Sequence, residues 1–361
     1  MKAVLAAEGG AQVEGRYVNS DPPAEGGEAW ARLRLVRGMV TRLDREVAAG
    51  FVLRSAGAGA STGTGAGGGG AAAFQGVLGH TAVGEVESVD GGTSPGKGRA
   101  GASGRPSDLV GRRVLVAPHV ACRSCDMCRS GLRLHCRQRR MLGICGLDGC
   151  LSERFAAPAE NLLTVPDDLD DDIAVFGSIV AAGVQAVRQL TIEGKPYITV
   201  LGDGPVALVC AQLMARLNAS VRVIGRHLHK LAVCERWGIK HRPLSEIGRR
   251  ADQDIVVDCT GRPSGLSAAL ELVRPRGQIL SKSLMVDRGG TDDRAGHLSR
   301  LVAGEVTLLG SGFGPMSEAL SLLARREVDV LGLIDRRCRL ADAAGMFRVA
   351  DFSPLSVLIE P

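Results

Sequence analysis

The sequence predicts an α/β protein of two domains, a β-rich first half followed by a parallel sheet with crossover helices. Three observations carry that expectation. The chain has 361 residues and is 45% hydrophobic, enough for two separate cores. Its first half holds short alternating or β-branched runs, AWARLRLV, HTAVGEVESV and RRVLVAP, separated by glycine-rich turns. From Asp171 onward the period changes, and apolar strands alternate with helical spacing.

Taken in chain order, MKAVLAAEGG reads as a strand start, because its short apolar run is broken by Glu8 and Gly9 and lacks the form of a signal peptide. No stretch approaches the length of a membrane span. A cytoplasmic location follows. Residues 54–74 and 91–108 are Gly-, Ala- and Ser-rich and are expected to be flexible surface insertions, the first having a lid as its sharper alternative. In the second half the expected strands are Tyr197–Leu201, Val221–Ile224, Asp254–Asp258, Gln278–Ser281 and Val306–Leu309, with helices at 205–217, 227–237 and 264–273. Charged residues make up 23% of the chain and the net charge is +5, too mild to indicate a nucleic-acid or anionic-membrane partner.

Ten cysteines without an export signal argue against a disulfide framework. Cys145, Cys150, Cys210, Cys234, Cys259 and Cys338 stand among apolar neighbours and are expected to be buried. Cys122, Cys125, Cys128 and Cys136 instead form C-x2-C-x2-C-x7-C. Four thiolates so spaced can close around a tetrahedral zinc at about 2.3 Å, leaving no position for substrate. The metal would be structural. An iron–sulfur cluster uses close cysteines too, but the bacterial run has a different last spacing and ends in proline. Arg123, Arg129, Arg133, Arg137, Arg139 and Arg140 make the lobe basic, which either suits phosphate binding or offsets the charge of a four-thiolate zinc. The second is the simpler reading.

YITVLGDGPVA runs an apolar strand into Gly202, Asp203, Gly204, Pro205 and Val206, then into a helix. This is G-x-G-x-x-A: Gly202 makes the tight turn, Gly204 admits a pyrophosphate, and Ala207 lets helix and strand approach. Phosphates would sit at the helix N-terminus. About twenty residues later an Asp or Glu normally accepts from the ribose 2′-hydroxyl of NAD. The sequence has Gly225, Arg226 and His227 there. Arg226, with His227 and Lys230, suits the 2′-phosphate of NADP, so NADP is favoured over NAD; the plainer alternative has Arg226 lining an adenine pocket that takes either.

These residues, with GVLGHTAVGEVESVD, GRRVLVAPHVACRSCDMCRSGLRLHC, GLDGCLSERFAAPAENLLTVPDDL, DIVVDCTG and VRPRGQIL, resemble the medium-chain dehydrogenase/reductase family. The similarity is to its zinc-containing alcohol, polyol and threonine dehydrogenase branch. That resemblance implies a GroES-like catalytic domain (1–163, with the zinc lobe at about 120–140), a Rossmann NAD(P)-binding domain of doubly wound parallel sheet (164–313), and a C-terminal return (314–361). It also implies a cofactor cleft between the domains, a small-molecule substrate and a homodimer or homotetramer.

The resemblance fails at the catalytic zinc. Val40 aligns with a ligating cysteine, Thr81 follows His80 where a glutamate is expected, and Ser178 stands where a Glu-Pro is expected. No cysteine occurs between Met1 and Ala121, so a shifted alignment does not restore the thiolate. One imidazole and two hydroxyls hold zinc poorly. The favoured reading is a zinc-free reductase acting on an alcohol/carbonyl pair or an activated alkene, with His80, Thr41 or Ser178 donating a proton or hydrogen bond in place of the metal. The alternatives are a catalytically inactive paralogue that keeps nucleotide and structural-zinc binding and, for His80 itself, a purely structural hydrogen bond.

Overall fold

A computed structural model describes residues 1–7, 10–14, 28–52, 63–64, 74–90, 105–248, 250–282, 294–347 and 355–361. The chain divides into two compact units, Met1–Gly177 with Ile334–Pro361, and Ser178–Leu333.

The first unit is built on a seven-stranded sheet whose central strand is Trp30–Val40. Leu33 and Leu35 are buried while Arg34 between them is exposed, the alternation of a strand with one face in the core. Ala82–Asp90 and Arg154–Pro158 flank it antiparallel, and Val357–Glu360 pairs with its end. The strand stops at Thr41, which N-caps the helix Arg42–Ala48. The sequence TRLD gives a reciprocal cap: Asp44 N–H donates to Thr41 Oγ1 at 3.4 Å, and Thr41 N–H donates to the Asp44 carboxylate at 2.7 Å. Met39 N–H donates to Thr81 O at 3.1 Å, bringing the residue after His80 to the end of this strand.

The second unit holds a six-stranded sheet, all parallel, in the spatial order Lys240–Pro243, Ser220–Gly225, Tyr197–Leu201, Gln253–Asp258, Val273–Ser281, Thr307–Gly310. Numbered along the chain, that order is 3-2-1-4-5-6, the doubly wound Rossmann arrangement. The order reverses beside Tyr197–Leu201, and ligands bind beyond the strand ends at such a switch point.

Several expectations need correction. The unit boundaries fall at Gly177/Ser178 and Leu333/Ile334, against the expected 163/164 and 313/314. Residues 164–177 stay with the first unit because Arg113 donates to Pro166 O and to Asp171, while Arg337 pairs with Asp172 at 2.7 Å. Residues 314–333 stay with the second because Gln212 holds both the N–H and the C=O of Asp329, and Trp237 Nε1 donates to its carboxylate. The expected helix at 227–237 is two short helices, Leu228–Leu231 and Val233–Arg236. The strand expected at Gln278–Ser281 begins at Val273. Cys150, Cys210 and Cys234 are buried as expected, but Cys145, Cys259 and Cys338 are only partly so. Most of 54–74 and 91–108 lies outside the described residues; within them Gly63–Thr64 pairs with Phe51–Val52, and Pro106–Leu109 forms a 3₁₀ turn.

Candidate metal, nucleotide and catalytic sites

In the first unit, the backbone of Arg123 takes the left-handed conformation (φ 62°), turning the chain between Cys122 and Cys125. Asp126–Arg129, capped by Cys125, folds as a single helical turn, and Gly131 reverses direction so that Cys136 returns to the knuckle. The four sulfurs of Cys122, Cys125, Cys128 and Cys136 lie within 4.8 Å of one another, with Cys125 Sγ and Cys136 Sγ 3.9 Å apart. A tetrahedron with metal–sulfur bonds of about 2.3 Å has edges of about 3.8 Å, so the sulfur set fits zinc. The Ser124 hydroxyl and the amides of Cys125 and Ser124 pull the Cys122 thiol down to about 6, toward the thiolate that a metal requires. Most of the expected basic face is engaged by the protein. Arg123 pairs with Glu160 and Glu28, Arg133 with Glu160, Arg137 grips Asp126 with two hydrogen bonds, and Arg139 donates to Leu134 O. Such arginines hold the lobe together and offer little to phosphates.

Also in the first unit, His80 is 4% exposed and its Nδ1 lies 2.8 Å from Asp44 Oδ1, a carboxylate that is fully buried. The other oxygen of Asp44 accepts from the Thr41 hydroxyl and the Thr41 N–H, each at 2.7 Å. Burial acts to raise the Asp44 pKa, but the charge and hydrogen bond of His80 and the bonds from Thr41 outweigh it and hold the carboxyl below its ordinary value. Asp44 therefore stays an anion. Val40, aligned with a ligating cysteine, is buried beside this network as an apolar residue. Thr41 and His80 thus meet on one carboxylate. Ser178, buried near the start of the helix Gly177–Gln189, belongs to the second unit.

In the second unit, Gly202 has φ +116°, and a Cβ there would approach the carbonyl carbon of Cys259 to 3.3 Å, so only glycine suits this turn. Gly204 N-caps the helix Pro205–Ala215, and nothing lies within 4 Å of where its Cβ would be. That open space and the helix N–H groups fit a pyrophosphate. Pro205 fills the first helical position, where its missing N–H costs nothing, and Ala207 is fully buried against the sheet. Arg226 is exposed at the end of Ser220–Gly225. Its backbone N–H donates to Asp203 Oδ2 at 2.6 Å, as does that of His227 at 2.8 Å.

Comparison with known proteins bears on the fold that carries these sites. Residues 60–167 match the alcohol dehydrogenase GroES-like domain. A sorbitol dehydrogenase of Arabidopsis thaliana is 25% identical over 241 residues, 62% of this chain and 58% of that protein. An L-threonine 3-dehydrogenase of Idiomarina loihiensis is 26% identical over 214 residues, 56% of this chain and 59% of its own length. By these matches the chain is similar to the medium-chain dehydrogenases/reductases. The matched stretches thus span about three fifths of these curated relatives. The crystal structure of galactitol-1-phosphate dehydrogenase from Escherichia coli superposes with a TM-score of 0.79 at 20% identity, covering 100% of both chains, a likeness of fold.

The motifs of the sequence leave two carboxylates unassigned. Asp44 had a local signal, the T-x-x-D cap, but its partner His80 lies 36 residues on. Asp203 lies inside the glycine motif, where the sequence assigns it no catalytic part, and only the fold brings it to the end of the next strand.

Proposed function

We propose that the protein transfers hydride between a nicotinamide dinucleotide and a small alcohol/carbonyl pair or an activated alkene, with His80 as the proton-handling group in place of a catalytic zinc. The observation that carries this reading is the Thr41–Asp44–His80 chain of hydrogen bonds, in which Asp44 and His80 are buried. When bound, the reduced nicotinamide supplies the hydride. Asp44 takes the Nδ1–H of His80, which fixes the tautomer and leaves Nε2 to hold or release a proton at the substrate oxygen or alkene carbon. The Thr41 hydroxyl is given to Asp44, so Thr41 positions the pair. Ser178 remains a proposed hydrogen-bond donor to substrate. Among the described residues the one grouping of three or more potential metal ligands is the four-cysteine lobe. That lobe is proposed to hold one structural zinc.

A sheet edge unpaired among the described residues, Thr307–Gly310 with exposed Leu308, and exposed Val302 and Leu298 on the preceding helix favour a homodimer or homotetramer. Among the described residues no helix is long and apolar enough to cross a membrane. A cytoplasmic enzyme on small molecules is the accompanying proposal.

Turnover of NADH and NADPH against a panel of aldehydes, ketones and enones tests the reading. His80→Ala is expected to lower kcat about 10²–10⁴-fold while nucleotide affinity stays within about twofold. Full kcat in His80→Ala would remove His80 from the chemistry. Nucleotide binding with no turnover across the panel would favour the inactive alternative, which the replaced ligand positions Val40, Thr81 and Ser178 keep in play.

A further inference from the structure

In a dinucleotide fold the ribose of the adenosine half is read at the end of the second strand, where an acidic side chain accepts from the 2′-hydroxyl. In this chain the second strand, Ser220–Gly225, ends without an acid, yet a carboxylate stands there. A Cβ placed on Gly225 would lie 2.6 Å from Asp203 Cβ and 2.7 Å from Asp203 Oδ2. The space a side chain at Gly225 would need is filled by the side chain of Asp203. Parallel pairing of Leu201 with Ile224 sets the two strand ends side by side, so the glycine turn reaches this position directly.

We infer that Asp203, delivered from the glycine turn, is the ribose-reading carboxylate of this nucleotide site and selects NAD(H) over NADP(H). The inference rests on the nucleotide-binding reading above. Asp203 Oδ2 is fixed by three donors, the N–H of Arg226, the N–H of His227 and His227 Nδ1 at 3.0 Å. Oδ1 accepts no protein hydrogen bond among the described residues and is left for a ribose hydroxyl. The side chain is 12% exposed, so it is ordered by the protein and still reaches the surface. Burial opposes its ionisation, but the His227 and Arg226 amides and the charges of His227 and Lys230 keep its pKa below the ordinary value. A 2′-phosphate brought to this anion meets like charge at hydrogen-bonding distance. Arg226 favours that phosphate, but its side chain is exposed and screened, whereas the carboxylate is held in place.

Equilibrium titration of the full chain with NADH and with NADPH, followed by nicotinamide fluorescence, tests this without reference to turnover. Wild type is expected to bind NADH at least about tenfold more tightly than NADPH. Asp203→Asn keeps an oxygen for the two amides and removes the charge, and is expected to narrow the ratio to about threefold or less, mainly by tightening NADPH. Arg226→Ala offers a second route and is expected to leave the NADH preference in place. A wild type that prefers NADPH, or a ratio unmoved by Asp203→Asn, overturns the inference. If neither nucleotide binds, the nucleotide-binding reading itself fails, a different result from either.

Discussion

Asp44 in the first unit and Asp203 in the second are built alike and used differently. Each is an aspartate beside a helix start or turn, each accepts at least one backbone N–H, and each touches the Nδ1 of a histidine. Asp44 is fully buried and spends both oxygens on Thr41 and His80, so its proposed role runs through His80. Asp203 spends one oxygen on the protein and keeps the other at the surface. A carboxylate with both oxygens bonded inside the protein orients a neighbour, and one with an oxygen left over can read a ligand.

The largest expected effect falls on the buried member. Asp44→Ala leaves His80 buried without its partner and should lower unfolding free energy by about 3–5 kcal/mol in denaturant titration; a loss below about 1 kcal/mol would mean that the pair is not structural. A smaller effect is expected where Gly225 meets Asp203. Gly225→Ala should cost about 1–3 kcal/mol through overpacking, and the cost should fall when Asp203→Gly is added, a coupling that a double-mutant cycle reads. Additive costs would separate the two residues.

Acid gives the smallest effect. The folded pKa of Asp44 lies below its ordinary value of 3.8, so its contribution to stability is present above about pH 4 and is lost as pH falls through the folded value. Wild type should therefore exceed Asp44→Asn in stability at neutral pH, with the margin closing only below about pH 4. A margin that closes between pH 5 and 7 would point to some other group.

What was legible in the sequence was local. The cysteine spacing and the G-x-G-x-x-A turn each lie within a short stretch, and the strands Tyr197–Leu201 and Gln253–Asp258 announce themselves as apolar runs bounded by polar residues. What was hidden depends on neighbours brought together by the fold. Lys240–Pro243 is a polar edge strand, KHRP, with no apolar run to mark it. Asp44 meets His80 because strand pairing carries Thr81 to Met39, and Asp203 meets Gly225 because two parallel strands end side by side. Residue spacing along the chain carries no record of either meeting. Val40, Thr81 and Ser178 stand out as proposed replacements of metal ligands only against the pattern of a family that the sequence resembles.

The central claim is that His80, held by Asp44, does its work without a zinc of its own while the four cysteines hold the only one. Zinc counted by elemental analysis in protein that is turning over NADH or NADPH tests it most directly. The account predicts one zinc per chain, lost in Cys136→Ser and retained in His80→Ala. Two zincs per chain, with one lost in His80→Ala together with activity, would contradict it.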